Sequence, residues 1–141
     1  MTPETDDRRR FGYEADAWEG MVHHGTGYLE RVCASGRTTD YTTFCAELGK
    51  RVGHCPQPGD HSLTYLLGDI GRRSYDERGV VITAVVHYKG AGYNPGPGFF
   101  TLCQELGLLP SGSLPDRQKD EFLVRHHNEL QAAYGDRRRR R

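Results

Sequence analysis

The sequence predicts an α+β fold, a mostly helical single domain with a small sheet in a winged-helix-like arrangement. Three observations favour this class. Several segments repeat apolar residues at the three-four spacing of an amphipathic helix. One run, VVITAVVHYK at 80–89, is rich in β-branched residues and apolar almost throughout, which is typical of a buried strand. The length of 141 residues suits one domain with a modest core.

The ends of the chain differ from its middle in composition. We expect 1–12 to be a disordered N-terminal segment, 13–135 to be one globular domain, and 136–141 to be a basic tail. No apolar run is long enough to span a membrane, and the N-terminus lacks the apolar middle of a secretory signal. A cytoplasmic location is therefore expected, and its reducing conditions suit four free cysteines.

The first two predicted helices carry clear apolar stripes. The first stripe consists of Trp18, Met21, Val22, Gly25, Leu29, Val32 and Cys33. Glycines in HHGTG, at 23–27, weaken the middle of this helix and allow a break there. The second stripe consists of Tyr41, Phe44, Cys45, Leu48 and Val52. Asp40 is a suitable N-cap for the second helix, and Gly49 or Gly53 is expected to end it.

The third helix is expected to begin at a cap formed by Asp60 or Ser62. Its stripe consists of Leu63, Leu66, Leu67 and Ile70. Gly68 and Gly71 interrupt this stripe, which indicates close packing against a neighbouring element. A strand over Val80–Tyr88 follows, and it needs a partner because its backbone groups must be paired. The candidate partners are GRTTD at 36–40 and the loop 91–97.

Two more helices complete the predicted domain. One covers Phe99–Leu106 and is closed by Gly107. The last begins near Pro115, a residue that fits the first turn of a helix. Its predicted buried face consists of Phe122, Leu123, His126, Leu130, Ala133 and Tyr134.

A short strand, two helices and a longer strand with a returning loop resemble a winged helix, and this order suggests a nucleic-acid-binding module without catalysis. The expected partner is duplex DNA. The phosphate-facing residues of the third helix would be Arg72, Arg73 and Arg78, and the wing would present Lys89, Tyr93 and Asn94. Net charge is +0, but the arginine runs at 8–10 and 137–141 concentrate positive charge at the two ends.

The loop between the strand and the next helix, GAGYNPGPG at 90–98, has the context of a nucleotide-binding loop but not its chemistry. Its glycines do not follow the dinucleotide-binding pattern, and Pro95 and Pro97 lack the amide protons that would bind pyrophosphate. No Gly-Lys-Ser/Thr is present. We therefore expect no nucleotide cofactor, and we interpret the loop as a rigid turn that presents polar and aromatic groups.

Two other functions remain open from the residues. A metal-dependent nuclease or hydrolase would use Asp69, Glu77, His87 and Lys89, because such enzymes gather carboxylates with a lysine at a strand end. A protein–protein module of phage or host-defence type would use the same loop and the pair Phe99–Phe100 as a docking edge.

Cysteines and histidines offer one candidate metal site. Its members would be Cys45, His54, Cys55 and His61. Adjacent residues such as His54 and Cys55 are a poor pair of ligands for a single zinc ion, whose paired ligands usually lie two to four residues apart. We expect no metal, although the sequence alone leaves this cluster open.

Residues 38–89 resemble in layout the winged-helix half of alkylguanine-DNA alkyltransferases and alkyltransferase-like proteins. The similarity rests on DYTTFCAEL at 40–48 and on LTYLLGDIGRR at 63–73, which are followed by the β-rich segment. The family's Pro-Cys-His-Arg run has no counterpart, since the comparable place reads Val-Val-His-Tyr at 85–88, so the resemblance implies DNA binding without alkyl transfer. LLGDI together with PGPGFF also resembles small uncharacterised bacterial and prophage proteins.

Overall fold

The structure, a computed structural model, describes residues 9–10, 12–53, 55–88, 90 and 94–135. Within them the chain forms the predicted mostly helical α+β domain. The elements are β1 (Arg9–Arg10), β2 (Tyr13–Glu14), α1 (Ala15–Ala34), β3 (Thr39–Asp40), α2 (Tyr41–Val52), α3 (His61–Arg78), a 3₁₀ turn (Ile82–Val85), β4 (Val86–His87), α4 (Pro97–Glu105), α5 (Asp116–Leu130) and a π-helical turn (Gln131–Gly135).

Helix α1 is continuous through HHGTG, so the possible break at 23–27 does not occur. Gly25 is buried where this helix crosses two others. A Cβ atom at Gly25 would lie 2.9 Å from Cδ1 of Ile70 and 3.1 Å from Cζ of Phe44. The glycine therefore serves close packing between α1, α2 and α3, and the energy of that packing outweighs its low helix propensity.

The caps of α2 are those that the sequence predicts. The carboxylate of Asp40 accepts a hydrogen bond of 2.7 Å from the backbone N–H of Thr43. Gly53, with φ of 87°, ends the helix and donates its N–H to the carbonyl of Gly49. At the start of α3, the carboxylate of Asp60 instead accepts from the backbone N–H of Gln57, which braces the preceding loop.

The segment 80–88 is buried almost throughout, as predicted, but its conformation as a single strand was wrong. Residues Ile82–Val85 form a 3₁₀ turn, and only Val86–His87 are extended and paired. Side chains satisfy the backbone before the turn: His126 accepts the N–H of Val81, and Ser74 accepts the N–H of Ile82. Because helices supply these partners, the segment does not need a long neighbouring strand.

The small sheet joins the apolar segment to one of its two candidate partners. β3 and β4 pair in parallel, with Thr39 opposite Val86 and Asp40 opposite His87, which confirms GRTTD as a partner of the apolar segment. β1 and β2 form a second, antiparallel pair, in which Arg9 and Arg10 of the N-terminal segment 1–12 lie opposite Glu14 and Tyr13. The remainder of that segment, apart from the turn residue Gly12, lies outside the described residues, as does the tail at 136–141.

The last two helices start close to their predicted positions. Gly96 precedes α4 and Pro97 is its first residue, while Pro115 lies one position before α5 as its N-cap. The predicted face of α5 is buried, except that Ala133 is only half-buried. The winged-helix-like part of the prediction depends on a wing between β4 and α4, and Lys89 and 91–93 of that wing lie outside the described residues.

Candidate ligand-binding cleft

A cleft of about 370 Å³ lies where α2, α3 and α4 begin. The loop before α3 supplies one wall and the loop before α4 supplies another. The polar lining residues are Tyr41, Thr42, Asp60, His61, Thr64, Thr83 and Tyr88. The apolar lining includes Leu63, Leu67, Phe99 and Leu102, and Gly68 and Gly98 contribute backbone without a side chain. A volume of this size and a mixed lining are typical of small-ligand sites.

Tyr41 joins the wall formed by α2 to the loop that precedes α4. Its hydroxyl accepts a hydrogen bond of 2.7 Å from the backbone N–H of Gly96. Its ring packs against the ring of Tyr88, with 5.1 Å between the centroids. A Cβ atom at Gly96 would lie 2.9 Å from the Tyr88 hydroxyl oxygen, so a larger residue at this position would displace that tyrosine. The proline–glycine loop thus holds its end of the cleft in place.

Thr83 lies deep in the cleft, with only 5% of its surface exposed. Within the described part of the chain, its hydroxyl makes no hydrogen bond. Yet the same part of the chain contains no enclosed side-chain oxygen or nitrogen without a partner. The hydroxyl of Thr83 is therefore not fully enclosed: the residue lines the cleft, and its Oγ1 atom lies against α3, 3.3 Å from where a Cβ atom at Gly71 would be.

Aromatic rings surround the mouth of the cleft. Tyr88 is 50% exposed and lines the cleft. His61 also lines the cleft and is exposed, and its ring stands edge-on to that of Tyr65, which is 46% exposed, with centroids 5.2 Å apart. Among the large apolar or aromatic side chains of the described residues, Tyr65, Tyr88 and Val124 are the exposed ones. Of these three, Tyr88 lines the cleft, and Tyr65 is next to it only through its contact with the ring of His61.

The lining carries little charge. Asp60 contributes one carboxylate and His61 one imidazole, and none of the described lining residues is lysine or arginine. The carboxylate of Asp60 already accepts a backbone hydrogen bond from its own loop. The interior of the cleft therefore favours an uncharged group with a flat apolar surface and a hydrogen-bonding edge, because burial of a charge without a partner is costly.

The three arginines predicted to face phosphates contact different neighbours. Arg72 pairs with Glu105 at 2.7 Å. Arg73 pairs with Glu19 at 2.6 Å, and this hydrogen bond raises the pKa of the arginine.

Arg78 donates to the carbonyl of Ala133 at 2.8 Å and stacks over the ring of Tyr134. All three arginines thus make contacts within the chain, those of Arg72 and Arg73 being ion pairs at the surface. Of the predicted wing residues, Lys89 and Tyr93 lie outside the described part. Asn94 is exposed, and its carbonyl accepts the backbone N–H of Tyr88.

The residues of the nuclease alternative are not brought together among those described. The carboxylate of Asp69 accepts a hydrogen bond of 2.8 Å from the indole of Trp18. Glu77 lies two turns further along the same side of α3, on the other side of Arg73. The ring of His87 is bonded to Thr38 on the opposite flank of the small sheet. Lys89, the fourth member, lies outside the described residues.

The candidate metal cluster does not form within the described residues, where no group of three or more His, Cys, Asp or Glu side chains is placed to hold an ion. Cys55 donates its thiol to the carbonyl of Cys45 at 3.0 Å. Burial raises the pKa of Cys45 to about 12, which keeps that thiol protonated. His61 faces the cleft, and His54 lies outside the described residues.

The two phenylalanines named for a protein docking edge lie in the core, while 91–93 of the loop beside them lie outside the described residues. Phe99 and Phe100 are both buried, because they pack on each other and Phe99 also contacts Phe122 of α5. Sequence reasoning missed Thr83, although a single hydroxyl within the apolar run VVITAVV is a visible signal. Sequence reasoning also placed Tyr41 only in the apolar stripe of α2. Its hydrogen bond to Gly96 could not be predicted, because the two residues are 55 positions apart in the chain.

Comparison of the chain with protein-family models, with curated proteins and with solved structures finds no match. Among the described residues, no helix has the length and apolar character needed to cross a membrane.

Proposed function

We propose that this chain is a small nucleic-acid-binding module without catalysis, and that its contact surface is the cleft mouth rather than the exposed side of α3. The observation that carries the proposal is the grouping of exposed rings around a concave site. Tyr88 and His61 line the cleft, and the exposed ring of Tyr65 packs against the ring of His61. Aromatic side chains of this kind stack on bases, each for about 1–3 kcal/mol.

The arginine runs supply the charge that the cleft lacks. The run at 8–10 leads directly into β2, which contains Tyr13. Burial raises the pKa of Tyr13, and the nearby Cys55 and Asp60 raise it further, so Tyr13 lies beside the loop before α3. That loop is a wall of the cleft. The backbone of Arg9–Arg10 pairs with Tyr13–Glu14, and in this proposal the arginine run contacts phosphates while the rings contact bases.

A single strand suits this surface better than the duplex expected from the sequence. Bases in a duplex are stacked on each other and cannot present a flat face to a cleft, whereas single-stranded bases can be stacked on protein side chains. The α3 arginines, which would follow a duplex backbone, are held instead by Glu105, Glu19 and the C-terminal turn. Single-stranded DNA or RNA is thus the partner proposed.

Fluorescence anisotropy with labelled single-stranded and duplex DNA at several salt concentrations tests the proposal. We expect tighter binding of the single strand and an affinity that falls with salt. Tyr88→Ala should weaken binding by about fivefold or more, because a stacking surface is lost. Tyr88→Phe keeps the ring and should bind like the parent chain, and Val124→Ala controls for an exposed residue elsewhere.

Absence of salt-sensitive binding to either form of DNA, or to RNA of the same sequence, would refute a nucleic-acid function. If the chain binds duplex DNA more tightly than the single strand and Tyr88→Ala has no effect, the contact surface is α3 and not the cleft mouth. The same mixtures with added Mg²⁺ or Mn²⁺ test the nuclease alternative. Cleavage that depends on Lys89 and Asp69 would replace the non-catalytic proposal.

A further inference from the structure

We propose that the cleft holds one unstacked nucleobase, and that the hydroxyl of Thr83 forms a hydrogen bond with the edge of that base. This inference rests on the proposed nucleic-acid function and adds the part of the ligand that enters the site. The exposed rings at the mouth would stack on neighbouring bases, while the cleft would receive a single base turned out of the strand.

Thr83 carries the first part of the inference. A hydroxyl on a residue that is almost entirely buried normally bonds to the protein itself. Here, within the described residues, it bonds to nothing, whereas the hydroxyl of Ser74 on the preceding helix accepts the N–H of Ile82 and has the carbonyls of Val80 and Gly71 within reach of its one proton. A hydroxyl can donate and accept, so Thr83 can bond to either type of atom on the edge of a base.

The walls of the cleft carry the second part. Leu67, Phe99 and Leu102 provide an apolar surface for the faces of a flat ring. Gly68 and Gly98 leave room, and a Cβ atom at Gly68 would have no neighbouring atom within 4 Å. The lining is close to neutral, which suits an uncharged base and not a phosphate.

Charge complementarity favours a base over the aromatic side chain of a peptide. Both groups are flat and both fit the volume. A strand of nucleic acid, however, also presents a regular negative charge, which matches the arginine run at 8–10, and the backbone of Arg9–Arg10 pairs with Tyr13–Glu14. A peptide would match this arrangement only if it were acidic next to its aromatic residue, and that case is an outcome of the test below.

The first experiment fills the cleft. Gly68→Leu places a side chain into open space at the cleft, so it should fold normally and lower the affinity for single-stranded DNA by about tenfold or more. Gly20→Leu is the matched control, since Gly20 is also inside a helix with no atom near its Cβ position but does not line the cleft. It should change the affinity by less than about twofold.

The second experiment removes the hydroxyl without changing the shape of the side chain. Thr83→Val should weaken binding by about three- to tenfold, whereas Thr83→Ser, which keeps the hydroxyl, should bind like the parent chain. A strand of the same length with abasic sugars tests the base itself. The affinity for this abasic strand should be the same for the parent chain and for the variants at residues 68 and 83. It should still fall with salt, because the phosphates are unchanged.

The outcomes separate the two proposals. If the parent chain binds no nucleic acid, the proposed function fails and this inference fails with it. If it binds single strands but Gly68→Leu and Thr83→Val bind equally well, the function stands and base insertion is overturned. Equal binding by Thr83→Val alone overturns the role of Thr83. The last outcome concerns a fluorescently labelled acidic peptide that contains tyrosine. If the parent chain binds this peptide more tightly than DNA, and Gly68→Leu binds it more weakly, the occupant is a peptide side chain and not a nucleobase.

Discussion

Two regions of the molecule share the segment 80–85, and they differ in whether its polar groups are hydrogen-bonded within the chain. In the first, which we call the closed junction (Ser74, Val80–Ile82 and His126), the polar side chains bond to backbone groups inside the core. His126 accepts the N–H of Val81 at 2.9 Å, and Ser74 accepts the N–H of Ile82 at 2.9 Å. In the second, the cleft, the hydroxyl of Thr83 has no hydrogen-bond partner among the described residues.

The difference distinguishes groups that serve folding from groups available to a ligand. A buried polar atom without a partner costs about 1–3 kcal/mol, so the closed junction is required for stability. Thr83 has no such role, because its hydroxyl contributes no bond within the described chain. Substitutions in the closed junction should therefore change the free energy of unfolding, and substitutions at the cleft should change binding instead.

The largest loss of stability is expected for His126→Ala. The substitution leaves the buried N–H of Val81 unpaired and removes a ring that stacks on Phe122 at 5.1 Å. Together these effects should lower the free energy of unfolding by about 3–5 kcal/mol in urea denaturation. His23→Ala, at an exposed position, should change it by less than about 0.5 kcal/mol. Equal effects of the two would contradict the closed junction.

Ser74→Ala should follow, with a loss of about 2 kcal/mol in the same measurement. The hydroxyl oxygen lies 2.8 Å from the carbonyl of Val80 and accepts from Ile82, so its removal leaves buried backbone groups without partners. Ser35→Ala is a suitable control. Ser35 also bonds to a backbone carbonyl, at 2.8 Å, but it is exposed and water can replace its contact.

Gly71 and Gly68 make a paired test within one helix. A Cβ atom at Gly71 would lie 2.7 Å from Cδ2 of Leu102 and 3.1 Å from Cγ1 of Val81, so Gly71→Ala should cost about 2 kcal/mol. Gly68→Ala meets no atom and should stabilise the helix by up to about 1 kcal/mol. The sign of the two changes is read from thermal or urea unfolding, and a shared sign would show that the cleft side is packed.

The pH dependence of stability reports on His126. Burial lowers the pKa of His126, although Glu129, 3.1 Å from its Nδ1 atom, opposes this and His127 adds to it. Below about pH 6.5, the pKa of an unfolded histidine, the unfolded chain binds a proton that the folded chain does not. The free energy of unfolding should thus be constant above about pH 7 and fall as the pH drops below 6.5, by at most about 1.4 kcal/mol per pH unit.

Comparison with His126→Gln isolates this contribution, because the remaining histidines are common to both chains. The difference in slope between the two chains should appear below pH 6.5 and vanish above pH 7. A parent chain with the shallower slope would mean that Glu129 dominates over burial.

The smallest expected change in stability is that of Thr83→Val. The hydroxyl has no partner within the described residues, so its replacement by a methyl group should alter the free energy of unfolding by less than about 0.5 kcal/mol. A loss as large as that for Ser74→Ala would show that Thr83 belongs to the folding core and would remove the distinction between the two regions.

Much of the fold could be predicted from the sequence because local rules decide it. The stripe of α2, the cap at Asp40 and the end at Gly53 follow from periodicity and from side chains within a few residues of each other. The buried character of 80–88 could be read in the same way. Its conformation could not, since the partners of its N–H groups are Ser74 and His126, the second of which lies 45 residues away.

The candidate site shows the same division. Arg72 and Arg73 were correctly placed on a helix surface, but their charge is balanced by Glu105 and Glu19, which the sequence does not mark as neighbours. The side chains at the cleft come from the starts of three helices and from the 3₁₀ turn. Their proximity depends on how those helices pack, and no spacing along the chain records it.

The sequence by itself determined which segments are helical, where they begin and end, which stretch is buried, and that GRTTD was a candidate partner for that stretch. These properties depend on residues close in the chain or on apolar content alone. Only the tertiary structure decided which polar groups are used up within the fold and which remain available. That depends on contacts between distant residues, as when His126 satisfies Val81 while Thr83, two positions further on, faces an open cleft.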